Sequence, residues 1–507
     1  MWQKKIKEIS AWFLYLFVFI LPWQTRWIWH EGKINGEYWE WGSFSLYGTE
    51  ILFWLVLILT IVGNYRLFIK KDYWKNLWNK YYYLIVGVGG LLVFGALSLV
   101  NAASLPLAAY GLFRLFEMAL LVWVLLTLEF RYLYVNLALI GAAVLQVILA
   151  LSQWFLQRNV IVSKWLGLAE LEAYKSGTAV IEYSAYAQTE MGDGEFWHRW
   201  LRAYGSFPHP NALAGFLVIA VLVALGVYLQ KSYGWLKLIV SLLASFVFTG
   251  LLLTFSRSGW LAFAFGFAVL CLFVLFFRAR TEEEKEQKSD ELFGIIKYVM
   301  IIVAISVAFV AVYPNHFYTR THMETRLEEM SYKDRLWQYK HALNIIPNHL
   351  VLGNGIYNYS LYLPEKIVDY KLTQPGGTIN VDYDKLVASD LNSRAAIDYQ
   401  PVHNLYLLVW AELGIFGFLI FLVMIAWHLG LFVYYRRAVL KDKILLVYAL
   451  SFSALLITSL FDHYWWMIWS NQILFWMIIA LGVKRLHYTL GKGVVLNSDS
   501  SDVPEKL

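Results

Sequence analysis

Residues 211–229 read NALAGFLVIAVLVALGVYL. A helix crossing the roughly 30 Å hydrocarbon core of a bilayer needs about 20 apolar residues, and this run fits that length. Eleven further stretches have the same character: 8–23, 46–63, 82–100, 107–128, 132–156, 236–254, 259–277, 296–313, 404–427, 444–461 and 468–483. The first is short and follows Lys4, Lys5 and Lys7 like a signal peptide. No small-residue cleavage site succeeds it, only Leu21-Pro22-Trp23, so it reads as a retained span. The fold class expected is therefore an all-α polytopic membrane protein with about twelve transmembrane helices.

The whole chain agrees. Of its 507 residues 59% are hydrophobic and only 15% charged, against about 25% charged in an average soluble domain. This excludes a soluble enzyme, a disordered protein and a fibrous repeat. The 24 Trp and 34 Tyr suit the two interfaces of a bilayer. One cysteine, Cys271, rules out an intrachain disulfide and a cysteine-based metal site. No P-loop or dinucleotide fingerprint occurs, and no nucleic-acid partner is expected.

Lysine and arginine set the orientation. With the N-terminus inside, the inner segments hold 24 of the 42, and the short outer loops hold only Arg26, Lys33 and Arg257. Both termini are then cytoplasmic. The domains expected are transmembrane helices one to five in 1–157, an outer loop in 158–205, helices six to nine in 206–313, a large extracytoplasmic loop in 314–403, helices ten to twelve in 404–483, and a Ser- and Asp-rich disordered tail in 484–507. In the large loop, Leu336, Tyr339, Leu343 and Ile346 predict a helix over 323–346 that Pro347 ends, and Pro375-Gly376-Gly377 predicts a turn.

Ionisable groups at membrane depth are expensive and need a reason. Arg257 lies in Thr254-Phe255-Ser256-Arg257-Ser258-Gly259, between two nearly continuous spans. It is either a turn residue reaching headgroups or a fixed cation aimed at an anion. Arg202 is a second outer cation just before span six, and an arginine fork matches a phosphate as lysine does not. Asn211 begins that span and reads first as a helix starter. Arg335, in the loop helix, is a third cation whose plainer reading is a solvated face. His403 begins span ten; a histidine there is usually structural, yet neutral imidazole also suits proton abstraction near pH 7. Arg114 and Glu117, three apart in span four, predict a buried pair. Asp462 and His463 sit at an outer mouth beside Tyr464, Trp465 and Trp466, either as an interface turn or as further members of a site. Arg202, Arg257, Arg335 and His403 fall on one side of the membrane, which suggests chemistry on a phosphate-bearing, membrane-anchored substrate.

At these residues the chain resembles the O-antigen ligase and polymerase superfamily. Gly205-Ser206-Phe207-Pro208-His209-Pro210-Asn211 resembles the family's Gly-x-Phe-x-x-Pro-Asn, with His209 where a small or polar residue is usual. Thr254-Phe255-Ser256-Arg257 resembles its Thr-x-Ser-Arg turn. Arg335-Leu336-x-x-Tyr339, followed by Leu352-Gly353-Asn354-Gly355, resembles its outer-loop helix and glycine turn. His403-Asn404, nine residues, then Gly414-x-x-Gly417 resembles the ligase pattern. The stretch 361–399 matches no family feature.

The resemblance implies a metal-independent, inverting membrane glycosyltransferase that needs no cofactor. Such enzymes take a glycan from undecaprenyl diphosphate at the outer leaflet of the cytoplasmic membrane. They pass it to a hydroxyl of a lipid A–core sugar, another glycan or a protein. In that reading His403 is the base, Arg202, Arg257 and Arg335 bind the substrate, and Asn211 and His463 are weaker candidates. Ligase, polymerase and protein O-oligosaccharyltransferase remain open. A transporter of lipid-linked glycans is the main reading outside this class; it calls for inverted repeats with broken midplane helices, which the sequence does not display.

Overall fold

A computed structural model describes residues 2–34, 36–159, 168, 170–175, 177–189, 192–230, 234–276, 281–322, 326–363 and 399–496. Helices dominate it. In chain order they are α1 (Trp2–Ile20), α2 (Gly48–Phe68), α3 (Lys71–Ser98), α4 (Leu105–Thr127), α5 (Tyr132–Leu156), α6 (Pro210–Leu229), α7 (Gly234–Leu253), α8 (Arg257–Phe276), α9 (Glu282–Val312), α10 (Pro314–His322), α11 (Arg326–Ile345), α12 (Leu405–Tyr434), α13 (Arg436–Lys441), α14 (Lys443–Ser459), α15 (Tyr464–Met467) and α16 (Trp469–Leu496). Each of the twelve apolar stretches is a helix. Among the described residues, ten helices are long and apolar enough to cross a membrane, and the chain is an all-α multi-pass membrane protein. The other two stretches fall short for visible reasons. Lys4, Lys5, Lys7 and Glu8 crowd the first turns of α1, and α14 has 17 residues.

The run at 211–229 becomes α6, the centre of the bundle, with 94% of its apolar window buried, against 17% for α9 at the lipid-facing rim. Helix α6 packs against α5, α7, α8 and α14. Close approach depends on its small residues, as is usual between membrane helices. A Cβ on Gly215 would meet the Tyr464 hydroxyl at 2.5 Å, and one on Gly226 would meet Val447 at 1.8 Å.

Among the described residues three two-stranded antiparallel ribbons lie in the connections: β1 (Arg26–His30) with β4 (Phe44–Tyr47), β2 (Lys33–Ile34) with β3 (Glu37–Tyr38), and β5 (Val180–Thr189) with β6 (Gly192–Leu201). The last helix continues through Leu496, where a disordered tail was expected from 484. Its polar residues are held: Lys484 Nζ donates to the carbonyls of Leu125 (2.9 Å) and Leu128 (2.5 Å), and Arg485 pairs with Asp442 at 2.6 Å. The expected Arg114–Glu117 pair forms at 2.9 Å, and Glu50 joins it from α2 at 2.7 Å. The loop helix predicted over 323–346 is α11. Most of 361–399, with the Pro375-Gly376-Gly377 turn, lies outside the described residues, as do 497–507.

Helix α12 is broken at Gly414, where φ is +69°. A break frees backbone groups, and at membrane depth an unpaired one costs several kcal/mol. The loop after α11 pairs with them. Asn354 N–H donates to the Ala411 carbonyl (2.8 Å), Gly355 N–H to the Glu412 carbonyl (3.2 Å), and Ile415 N–H to the Leu350 carbonyl (2.8 Å). Gly353 and Gly414 cross so closely that a Cβ on either would lie 2.2 Å from a carbonyl oxygen of the other strand. The two glycine motifs are thus one splice between the loop after α11 and the helix that follows His403.

Candidate active site

His403 is fixed from three sides. Asn404 caps α12, its Oδ1 accepting from Leu407 N–H at 3.0 Å. From α11, the Tyr339 hydroxyl donates to the His403 carbonyl at 3.0 Å. Gln338 Oε1 accepts the His403 backbone N–H at 3.0 Å and lies 2.7 Å from His403 Nδ1. These two contacts determine the tautomer. A backbone N–H only donates, so the Gln338 atom is an acceptor, and the imidazole must offer it Nδ1–H. The lone pair is therefore on Nε2. Burial pushes the imidazole below its ordinary value near 6.5; Asp462 opposes this and Arg335 adds to it. His403 is a neutral ring with a basic Nε2.

Arg202 is buried, 5% exposed. Its Nε donates to the Thr254 carbonyl at 2.7 Å and its Nη2 to Asn211 Oδ1 at 2.9 Å. Asn211 Nδ2 in turn donates to Asp462 Oδ2 at 2.9 Å, and Asp462 Oδ1 accepts His463 N–H at 2.9 Å. The His463 and His403 rings meet edge to face, centroids 5.0 Å apart. The structure thus connects Arg202, Asn211, Asp462, His463 and His403 in one continuous arrangement, although 251 residues separate Asn211 from Asp462. The expectation that Asn211 serves chiefly as helix starter is corrected: His209 caps α6, its Nδ1 accepting Asn211 N–H at 3.1 Å, which frees the Asn211 side chain to bridge.

Arg257 opens α8, half-buried, at the end of the turn that Arg202 grips. Arg320, which the sequence reading missed, grips the same turn through Nε to the Phe255 carbonyl at 2.8 Å. Phe255 has φ +47°, unusual for a bulky residue, and its neighbouring carbonyls are the two that the arginines hold. Arg335 lies close enough to influence His403, His209 and Asp462 electrostatically. The four predicted groups therefore gather at one end of the bundle, with Arg335 within electrostatic reach of His403, Arg202 linked to His403 through Asn211, Asp462 and His463, and Arg257 at the end of the turn that Arg202 holds.

Asp462 and His463 are each 4% exposed, so they face the interior beside His403 rather than the surface. Burial tends to raise the Asp462 carboxyl, but His403, His463, His209 and Arg335 outweigh that and hold it down at about 2. His463 is pushed down to about 3, first by burial and then by His403, against the pull of Asp462. Among the described residues neither ring nitrogen makes a hydrogen bond, and Nδ1 lies 3.5 Å from Asp462 Oδ1. Side-chain donor atoms of His403, Asp462 and His463 lie within 4.8 Å of one another, a set of types that a transition metal accepts. Gln338, Arg320 and Asp462 are the members that spacing alone conveyed least. Gln338 does sit inside the Arg335-Leu336-x-x-Tyr339 motif, which was the available signal.

No curated protein matches the chain. Residues 240–422 match the family model described as O-antigen ligase. That segment holds the 254–257 turn, Arg335, His403 and both glycine motifs, whereas Arg202, Asn211, Asp462 and His463 lie outside it and reach the same site through the contacts above. Spanning a little over a third of the chain, the match supports membership of the O-antigen ligase superfamily.

Proposed function

We propose that the protein is an inverting glycosyltransferase. It takes a glycan from undecaprenyl diphosphate and passes it to an acceptor hydroxyl at the outer face of the cytoplasmic membrane. The observation that carries this reading is the His403 tautomer: a neutral imidazole with a basic Nε2, within electrostatic reach of Arg335 and connected through His463, Asp462 and Asn211 to Arg202. His403 Nε2 takes the proton of the acceptor hydroxyl as its oxygen attacks the anomeric carbon. The bond from that carbon to the diphosphate breaks, and the leaving diphosphate keeps the electron pair. Its growing charge is met by Arg202, Arg257 and Arg335. Guanidinium groups already fixed in place stabilise such charge without reorganising as the reaction proceeds. Arg202 is fixed by Thr254 and Asn211. Asp462 favours the imidazolium that forms.

The family match indicates a membrane enzyme of ligase or polymerase type, so the acceptor is a lipid-core sugar, a second glycan or a protein hydroxyl. In this reading both termini are cytoplasmic and no metal is required. The test uses purified protein in nanodiscs, an undecaprenyl diphosphate-linked oligosaccharide, the three acceptor types and a chelator. One acceptor should be glycosylated with inverted anomeric configuration. Absence of any new glycosidic bond, or transfer abolished by chelation and restored by metal, would overturn the reading.

A further inference from the structure

A cavity of about 110 Å³ opens beside the site. Several separate parts of the chain wall it, among them the first ribbon and its loop at Arg26, Glu40 and Trp41, α4 at Tyr110, the segment 205–208 that follows Arg202, Tyr357 in the loop after α11, and the start of α16 at Trp469. None of the wall residues has a role in the transfer step itself.

Trp41 ties the cavity to the reacting centre. Its ring meets His463 edge to face at 5.0 Å, and His463 meets His403 at the same distance. A ligand in the cavity is therefore two ring contacts from the base. The loop that presents Trp41 is anchored to the same region. Trp39 Nε1 donates to the Tyr399 carbonyl at 2.9 Å, four residues before His403.

The lining specifies the ligand class. One part is aromatic, with Trp41, Trp469 and Tyr110. The other is polar and pre-oriented: Arg26 pairs with Glu40 at 3.1 Å and also donates to the Tyr47 and Tyr38 hydroxyls, at 3.3 and 3.2 Å. A lipid chain would strip water from this ion pair and return nothing. A sugar ring offers both surfaces, an apolar C–H face to lie on an aromatic ring and a rim of hydroxyls for charged groups to bind. Tyr357, also in the wall, holds φ at +62°, a conformation that a bulky side chain keeps only where its surroundings impose it.

We infer that this cavity is a sugar subsite, holding one ring of either the transferred glycan or the acceptor beside the catalytic histidine. Its place in transfer rests on the proposed function; the binding itself does not.

The experiment measures binding of maltotriose, chitotriose and tri-galacturonate to nanodisc-embedded protein by saturation-transfer NMR, with no lipid-linked donor present. At least one should bind saturably. Trp41→Ala and Glu40→Gln should each weaken it, Trp41→Ala by about tenfold, the scale of a lost aromatic contact. Trp41→Phe should retain most of it, which guards against misfolding. His403→Ala should bind like wild type, so failure of the catalytic reading leaves this result intact. In transfer assays, a raised KM for acceptor alone assigns the ring to the acceptor, and a raised KM for donor alone assigns it to the glycan. No saturable binding of any of the three, or equal binding by wild type, Trp41→Ala and Glu40→Gln, would overturn the inference.

Discussion

Replacing Asp462 by Asn keeps the shape of the side chain and removes its charge. The consequence follows from its distance to His403. Their donor atoms lie within 4.8 Å. At that separation, with an effective dielectric between that of a protein surface and water, the interaction is roughly 1–3 kcal/mol, or about 1–2 pKa units. The sign is definite. In the proposed mechanism His403 works as the neutral ring, so the rate should fall when the pH drops through its pKa. Burial already holds that pKa below 6.5, and Asp462 is the group that raises it. Asp462→Asn removes the raising influence, so the acid limb of the pH–rate profile should move to lower pH by about 1–2 units. The base is also weaker, and the plateau should fall roughly 3–10-fold if about half the shift appears in the transition state. The Asn211 bridge should largely persist, because an asparagine keeps one carbonyl oxygen for Asn211 Nδ2. The assay is initial transfer rate from about pH 4.5 to 9 at saturating donor and acceptor, with thermal unfolding as a fold control. An acid limb that stays put or moves to higher pH would refute the electrostatic link between these two residues.

Arg257→Ala should reduce transfer strongly at normal expression, while Arg257→Lys should recover only part, because a point charge cannot reproduce a two-pronged phosphate contact; full activity in the alanine variant would return Arg257 to a turn residue. Gly353→Ala should destabilise the protein by about 1–3 kcal/mol from its left-handed backbone alone, with more from the clash against Glu412, read as a lower unfolding temperature in nanodiscs; an unchanged temperature would deny the splice its structural role. Reporter fusions after Lys71, Lys288 and Lys441 should read inside and those after Lys175 and Lys371 outside, and an inside result at Lys371 would put the outer loop and His403 in the wrong compartment.

The helices were legible in the sequence because hydropathy over about 20 residues is a local property, and 211–229 needs no partner to declare itself. What sequence reading missed depends on distant partners. The ribbon β1–β4 is made of short strands inside a loop, with no long alternating pattern to signal it. Gly414 was matched only as part of a motif. Its positive φ makes sense once the Gly353 turn lies against it and takes up the Ala411 and Glu412 carbonyls. Asn211 carries a reading as a cap in any sequence, and it lost that role because His209 already accepts its N–H. Asp462 was seen beside three aromatic residues that resemble an interfacial belt, yet its carboxylate faces inward to Asn211, Arg335 and the imidazoles. The four motifs converge on one region of the fold, and the contacts between them had to come from the fold.

Removal of the acceptor proton by His403 Nε2 is the step on which the proposed transfer depends. It is tested most directly by single-turnover transfer with preloaded lipid-linked donor, comparing wild type with His403→Ala, alongside donor binding by the same two proteins. The alanine variant should bind donor with unchanged affinity and form the glycosidic bond more slowly by about 10²–10⁴-fold, the contribution of a positioned base. Wild-type transfer by His403→Ala would contradict that role.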